Sequence, residues 1–356
     1  MVYVHIPFCR SFCTYCGFYS VIAESSCIRE FSGLISEEIL RRKGEAVSFP
    51  DTLYIGGGTP SVLPLSVIER IVADLGGGPW REFTMEVNPD DIVSRGEGFV
   101  RELRGLGVNR ISMGVQSFDD GILRWMNRRH DAGEAAEAFR LLREGGFDNI
   151  GIDLIFGMPG LGDSLWEKTL DTALSLPGGP PEHISAYQLS VDENSSLGEM
   201  AADGRFTPAP DEDCRRQYDR LSERLAEAGY HHYEISNFAL PGREAVHNSA
   251  YWDRTPYSGF GPGAHSFDGK RRFWNTSDIP WKPVYEDLTE KDAVIETIML
   301  SLRTDKGADK EFLHGNCSPS AVSAMMEKGL LETAGDRVRI PEKHWFISDS
   351  IIAELI

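Results

Sequence analysis

The sequence predicts an α/β protein: a partial, TIM-like (β/α)6 barrel followed by a small helical or winged-helix-like module. Three observations predict it. Short apolar or β-branched runs alternate with amphipathic stretches over the first two thirds of the 356 residues. About ten or more helical residues separate the runs, the spacing of parallel βαβ units whose strands are apolar on both faces. The units number six, short of the eight that close a TIM barrel, so the open side needs a cover.

"VYVHI" (2–6) opens the series and is followed by a helical pattern over about 27–43. "TLYIGGG" (52–58) precedes a helix near 64–75, and "FTMEVNP" (83–89) one near 97–106. "RISMGVQSF" (110–118) and "NIGIDLIFGMPG" (149–160) bracket a helix near 131–145, and another covers 163–176. "HISAYQLSV" (183–191) leads into a helix near 213–228. The barrel is therefore expected over 1–232, with its chemistry on the loops at the carboxyl ends of the strands. Residues 233–288 are rich in aromatics, Gly and Pro and read as a connecting segment. Residues 289–356 read as a helical module, with helices at 291–302, 309–315 and 319–328, a brief strand at 336–340 and a last helix, packed against the barrel.

The balance of 36 basic against 55 acidic residues gives a net charge of −19, which repels nucleic acid phosphates and anionic lipid. No apolar run approaches the ~18 residues that span a bilayer, and no signal peptide opens the chain. A cytoplasmic protein without stable membrane insertion is expected. Six cysteines are too few and too uneven for a disulfide framework.

Three of them stand as C-x3-C-x2-C in "HIPFCRSFCTYCGFYS" (5–20): Cys9, Cys13 and Cys16. Sulfur ligands at this spacing select zinc or an iron–sulfur cluster. Structural zinc wants a fourth protein ligand. His5 or Cys27 could supply it, but no spacing favours either. Cys27, Cys214 and Cys317 read as core packing.

Polar residues recur at successive strand ends: Glu86 in "MEVNP", Gln116 in "GVQSF" and Asp153 in "GIDLIFG". A carboxylate inside an apolar strand is costly unless paired, and three in series suggest a shared polar ligand. The Gly56–Gly58 triplet lets the backbone approach a ligand closely. Arg128 suits a bidentate carboxylate contact, whereas Arg124 and Arg129 read as solvated helix-face charges.

The cysteine loop at the end of a first strand, with Tyr15 before its last cysteine, resembles the radical S-adenosylmethionine (SAM) superfamily. "YVHIPFC", "YIGGGTPS", "EVNPDD", "RISMGVQSFDD", "IDLIFGMPG" and "YEISNFA" together resemble the anaerobic coproporphyrinogen III dehydrogenase family over nearly the whole chain. The resemblance implies a [4Fe–4S] cluster on Cys9, Cys13 and Cys16, with SAM on the open iron. It implies that Tyr3, Tyr15, Gly58, Thr59, Glu86, Gln116, Arg128 and Asp153 serve the cluster and SAM, with Gln188 and His265 as weaker candidates near the adenine.

That family has two branches. The dehydrogenases of porphyrin biosynthesis carry a further cysteine two residues on, where this chain has Phe18. Phe18 therefore matches the heme-chaperone (HemW-type) branch, which hands heme to respiratory proteins. "HNSAYW" (247–252) fits the H-N-x-x-Y-W heme motif associated with that branch. It implies His247 as axial ligand, with Tyr251 and Trp252 offering flat faces to the macrocycle. The alternative occupation of this segment is packing, with His247 bonded to a backbone carbonyl. The basic patch Lys270–Arg272 could meet heme propionates. Gly17 departs from the acidic residue usual in that branch, and His231 and His232 read as adjacent surface histidines. Coproporphyrinogen oxidase activity and a zinc-stabilised module are the competing functions; homodimerisation stays open.

Overall fold

The computed structural model describes residues 1–42 and 51–356. Six parallel strands form its centre: β1 (Val2–Ile6), β2 (Thr52–Gly57), β3 (Glu82–Val87), β4 (Arg110–Gln116), β5 (Ile150–Phe156) and β6 (His183–Gln188). They lie side by side in chain order, as right-handed βαβ crossovers require. Ser258–Phe260 adds in parallel beside β1, and Asn237–Ala239 and His231–Glu234 add antiparallel beyond β6. The described residues thus give an open nine-stranded sheet with its two edges supplied by the segment after residue 230.

The strands are apolar on one face, not both. Val4, Ile6, Leu53, Ile55, Phe83, Met85, Ile111, Met113, Ile152, Leu154 and Ile184 are buried against the outer helices. Their alternating neighbours face inward and are mostly polar: Tyr3, Tyr54, Glu86, Arg110, Ser112, Gln116, Asp153, His183 and Ser185. Side chains alternate across a strand, so each strand seals the core with one row and lines the interior with the other.

The helices follow the expected order: Ser25–Arg42, Leu65–Asp74, Pro89–Gly105, Ala132–Glu144, Asp163–Leu174 and Asp211–Glu227. The end expected at residue 43 lies outside the described residues. The third begins well before residue 97, because Pro89 suits the first helical position and Asp90 and Asp91 favour the first turn. Gly96 breaks it with a positive φ of 66°. Two short helices, Asp120–Trp125 and Ser196–Ala202, were not foreseen.

The strand His231–Glu234 spans the division expected after residue 232. The segment beyond it is ordered, with a helix at Val246–Trp252 and a three-stranded antiparallel sheet of His265–Phe267, Arg271–Asn275 and Pro283–Asp287. The last part folds as helices with a small sheet of Ala308–Asp309, Glu332–Ala334 and Arg337–Arg339, a winged-helix-like arrangement. It packs on the barrel: Arg215 Nη2 donates to Lys343 O at 2.9 Å, and Glu342 contacts His232 Nδ1 at 2.8 Å. His232 is therefore no surface residue; it is buried and stacked on Phe238. His231 is exposed, beside Asp305 and Glu244.

Candidate functional site

A cavity of about 1050 Å3 fills the interior of the open barrel. Its mouth is the cysteine loop that follows β1. Backbone bonds fold this loop on itself, Val21 N to Pro7 O at 2.6 Å and Ala23 N to Cys9 O at 2.9 Å. The two unforeseen helices anchor it. Thr14 bonds through its N–H to Met126 O and through its hydroxyl to Trp125 O, both at 3.1 Å, and Leu197 N donates to Thr14 O at 2.8 Å.

Cys9, Cys13 and Cys16 are half-buried and all line the mouth. As free thiols Cys9 and Cys16 resist ionisation, burial raising both and pushing Cys16 up to about 11. Among the described residues no three or more His, Cys, Asp or Glu side chains meet the geometry of a single-ion site. Cys214 and Cys317 are buried in apolar surroundings and Cys27 packs against the core; none reaches the cavity.

Gly58 closes tightly on the loop. A Cβ there would lie 2.7 Å from Phe8 O and 3.0 Å from both Cys9 Sγ and Ile6 O, so no side chain fits. Thr59 Oγ1 donates to Cys9 Sγ at 3.6 Å and accepts from Asn88 Nδ2 at 3.1 Å. Arg128 reaches Cys13 Sγ at 3.5 Å, Asn88 Oδ1 at 2.7 Å and Gly114 O at 2.5 Å. Its Nη atoms are thus engaged while Nε is buried without a partner. Arg129 is exposed, as Arg124 is, but pairs with Asp90 at 2.6 Å and lines the cavity.

Glu86 receives Tyr54 Oη at 2.7 Å and Gly57 N at 3.0 Å. Burial pushes its carboxyl up to about 7; those hydrogen bonds oppose the rise and Asp153 adds to it. Burial also raises Asp153, against hydrogen bonds from Ser185 and Ser112. Gln116 ends β4 with a positive φ of 68°, unusual for a residue with a side chain, and faces the cavity. Tyr3 and Tyr15 line the same space, Tyr3 bonded to His5 Nδ1 at 3.0 Å.

The opposite end is closed by Val246–Trp252. His247 is buried there, with Nδ1 2.8 Å from Thr52 Oγ1 and Nε2 3.1 Å from Tyr251 Oη. Its partners are hydroxyls, not a backbone carbonyl. The backbone N–H groups of Val246 and His247 donate to Glu82 at 2.7 and 2.9 Å. Burial depresses the imidazole to about 3, keeping it neutral.

Some expected residues lie elsewhere. Trp252 lines a separate, smaller pocket of about 340 Å3. His265 sits on the outer three-stranded sheet, stacked on Trp274, while Gln188 does line the cavity. Arg271 pairs with Asp268 and Arg272 with Glu296 and Glu286, so that patch is largely neutralised and away from the cavity. Gly17 has a steric reason: a Cβ there would lie 2.1 Å from the Asp192 carboxyl carbon, which fills the space. Sequence reasoning missed Tyr54, Asn88, Arg110, His183, Ser185 and Asp192, all cavity-lining. Four of the six occupy inward positions of strands already recognised.

The radical SAM superfamily matches residues 3–173. The heme chaperone HemW of Bacillus subtilis is 31% identical, covering 99% of this chain and 98% of its own length. The chain belongs to the HemW family. The radical S-adenosyl methionine domain-containing protein 1 of mouse mitochondria is 34% identical over 74% of this chain and 60% of its own. The solved coproporphyrinogen III oxidase (HemN) of Escherichia coli superposes with a TM-score of 0.83 over 99% of this chain and 89% of its own. At 21% identity it shares the fold with the HemW family and carries no more than that. A [4Fe–4S] cluster and SAM are what the radical SAM membership implies. The residues present fit them: a loop of three thiols, a glycine cradle against Cys9 Sγ and a carboxylate row facing one cavity.

Proposed function

We propose that the protein is a cytoplasmic heme chaperone, which binds heme and passes it to heme-dependent respiratory proteins. The observation that carries this reading is the end-to-end similarity to chaperones of that name, including the segment with His247. Phe18 supports it: the side chain is 75% exposed at the mouth, where the dehydrogenase branch has a further cysteine. Among the described residues no helix is long and apolar enough to cross a membrane.

In this reading Cys9, Cys13 and Cys16 hold the cluster. Tyr3, Tyr15, Gly58, Thr59, Glu86, Gln116, Arg128 and Asp153 hold SAM against it. When bound, the reduced cluster supplies an electron to the SAM sulfonium, and the protein contributes orientation and exclusion of water. His247 would hold the heme iron. Its neutrality suits iron, but Tyr251 must leave Nε2 first.

Anaerobic reconstitution followed by heme titration and a coproporphyrinogen assay on the same sample tests the reading. One heme per chain and unaltered coproporphyrinogen are expected. Conversion to protoporphyrinogen without heme binding would replace the chaperone by an oxidase; zinc in place of iron would remove both.

A further inference from the structure

Arg110 opens β4 at the floor of the cavity, at the end away from the cysteines. Its residue is 3% exposed, and its Nε is buried without a hydrogen-bond partner. Among the described residues the guanidinium forms no hydrogen bond and no ion pair, although it lines the cavity. Its charge is felt by Glu86 and Asp153, yet neither carboxylate reaches it. A buried guanidinium whose N–H groups meet no acceptor is costly, so such a group points to an acceptor brought by a ligand.

A second donor faces the same point. His183 Nε2 lies 2.7 Å from Tyr233 Oη, which in turn accepts the Ala245 N–H at 3.4 Å. In the tautomer in which Nε2 accepts the tyrosine proton, the imidazole carries its own proton on Nδ1. Nδ1 is buried without a partner. Gly151, between them in the sheet, keeps the space open: a Cβ there would lie 3.2 Å from Arg110 Nη2 and 3.4 Å from His183 Nδ1.

We infer that Arg110 and His183 form a carboxylate-binding subsite on the cavity floor, and that it receives a propionate of the tetrapyrrole. The inference rests on the heme reading above. SAM has a carboxylate too, but Arg110 begins the seven-residue β4, whereas Gly114, four residues and about 13 Å further along it, is the residue that Arg128 ties to Cys13. The expected iron ligand, His247, lines the same cavity. A guanidinium and an N–H donor converging on one point suit the two oxygens of a carboxylate.

The test uses the full chain with its cluster reconstituted anaerobically. Hemin, hemin dimethyl ester, iron-free coproporphyrin III and SAM are titrated into wild type and Arg110→Gln, with near-ultraviolet circular dichroism as the fold control. Loss of a charge-assisted bond should weaken hemin at least about tenfold. The ester should bind both proteins equally and weakly, with SAM affinity unchanged. Equal hemin affinity in a folded variant overturns the subsite, and so does a loss confined to SAM. If Arg110→Gln does not fold, Gly151→Ala decides instead, because its methyl group fills the space while the charge stays. If wild type takes no hemin, the chaperone reading falls. Coproporphyrin III then judges the subsite alone: Arg110-dependent binding sustains it and Arg110-independent binding, or none, ends it.

Discussion

The Tyr251 hydroxyl sits 3.1 Å from Nε2 of His247, one helical turn away, while Thr52 holds Nδ1 at 2.8 Å. Both nitrogens of the expected iron ligand are therefore engaged within the protein. Iron can reach Nε2 only by displacing the tyrosine. Tyr251→Phe removes the competitor and should bind heme more tightly, by a few-fold to about tenfold, the worth of one neutral hydrogen bond. His247→Ala should weaken binding and shift the Soret band. Unchanged spectra in both variants would place the iron ligand elsewhere.

Glu86 gives the stability a pH dependence of definite sign. Burial raises its folded pKa to about 7 from the usual 4.5. The folded chain thus holds the proton more tightly than the unfolded one, and stability is fully present below about 4.5 and lost as pH rises through 7. Without ligand, wild type should lose more in Tm between pH 5.5 and 8 than Glu86→Gln does. Parallel curves would contradict the shift.

Gly58→Ala introduces a methyl group with no space to occupy, against two carbonyl oxygens and Cys9 Sγ. The expected cost is about 1–3 kcal/mol in chemical unfolding, as for other overpacked sites. Because the loop itself must shift, reconstituted iron and SAM binding should fall as well. A variant with wild-type stability would show that the loop yields freely.

Serine at Cys9, Cys13 or Cys16 should each abolish the broad absorbance of a reconstituted cluster, whereas Cys27→Ser should keep it. Iron and sulfide analysis on the four proteins separates these outcomes. Loss of iron in Cys27→Ser would make it a ligand.

The parallel order of the strands and the thiol loop were legible because each rests on local pattern: β-branched runs, helical spacing and C-x3-C-x2-C. The strands were nevertheless read as apolar on both faces, although "RISMGVQ" and "HISAYQ" alternate polar and apolar residues. Counting that period would have placed Arg110, Ser112, His183 and Ser185 on the interior beside Glu86 and Asp153. The edge strands and the helix carrying His247 were less legible. They are short, and what orders them is distant: Glu82 caps the helix from another part of the chain. His232 was misplaced for the same reason, and the Asp90 pair of Arg129 went unseen, since Glu342 and Asp90 are partners far away in sequence.

Hand-over of heme is read by mixing heme-loaded protein with an excess of apo-acceptor, a respiratory heme protein. The acceptor's Soret spectrum should appear while the donor's disappears, faster than from a heme-loaded bystander protein of equal affinity. Heme that stays on the donor, or reaches the acceptor no faster than from the bystander, would contradict the account.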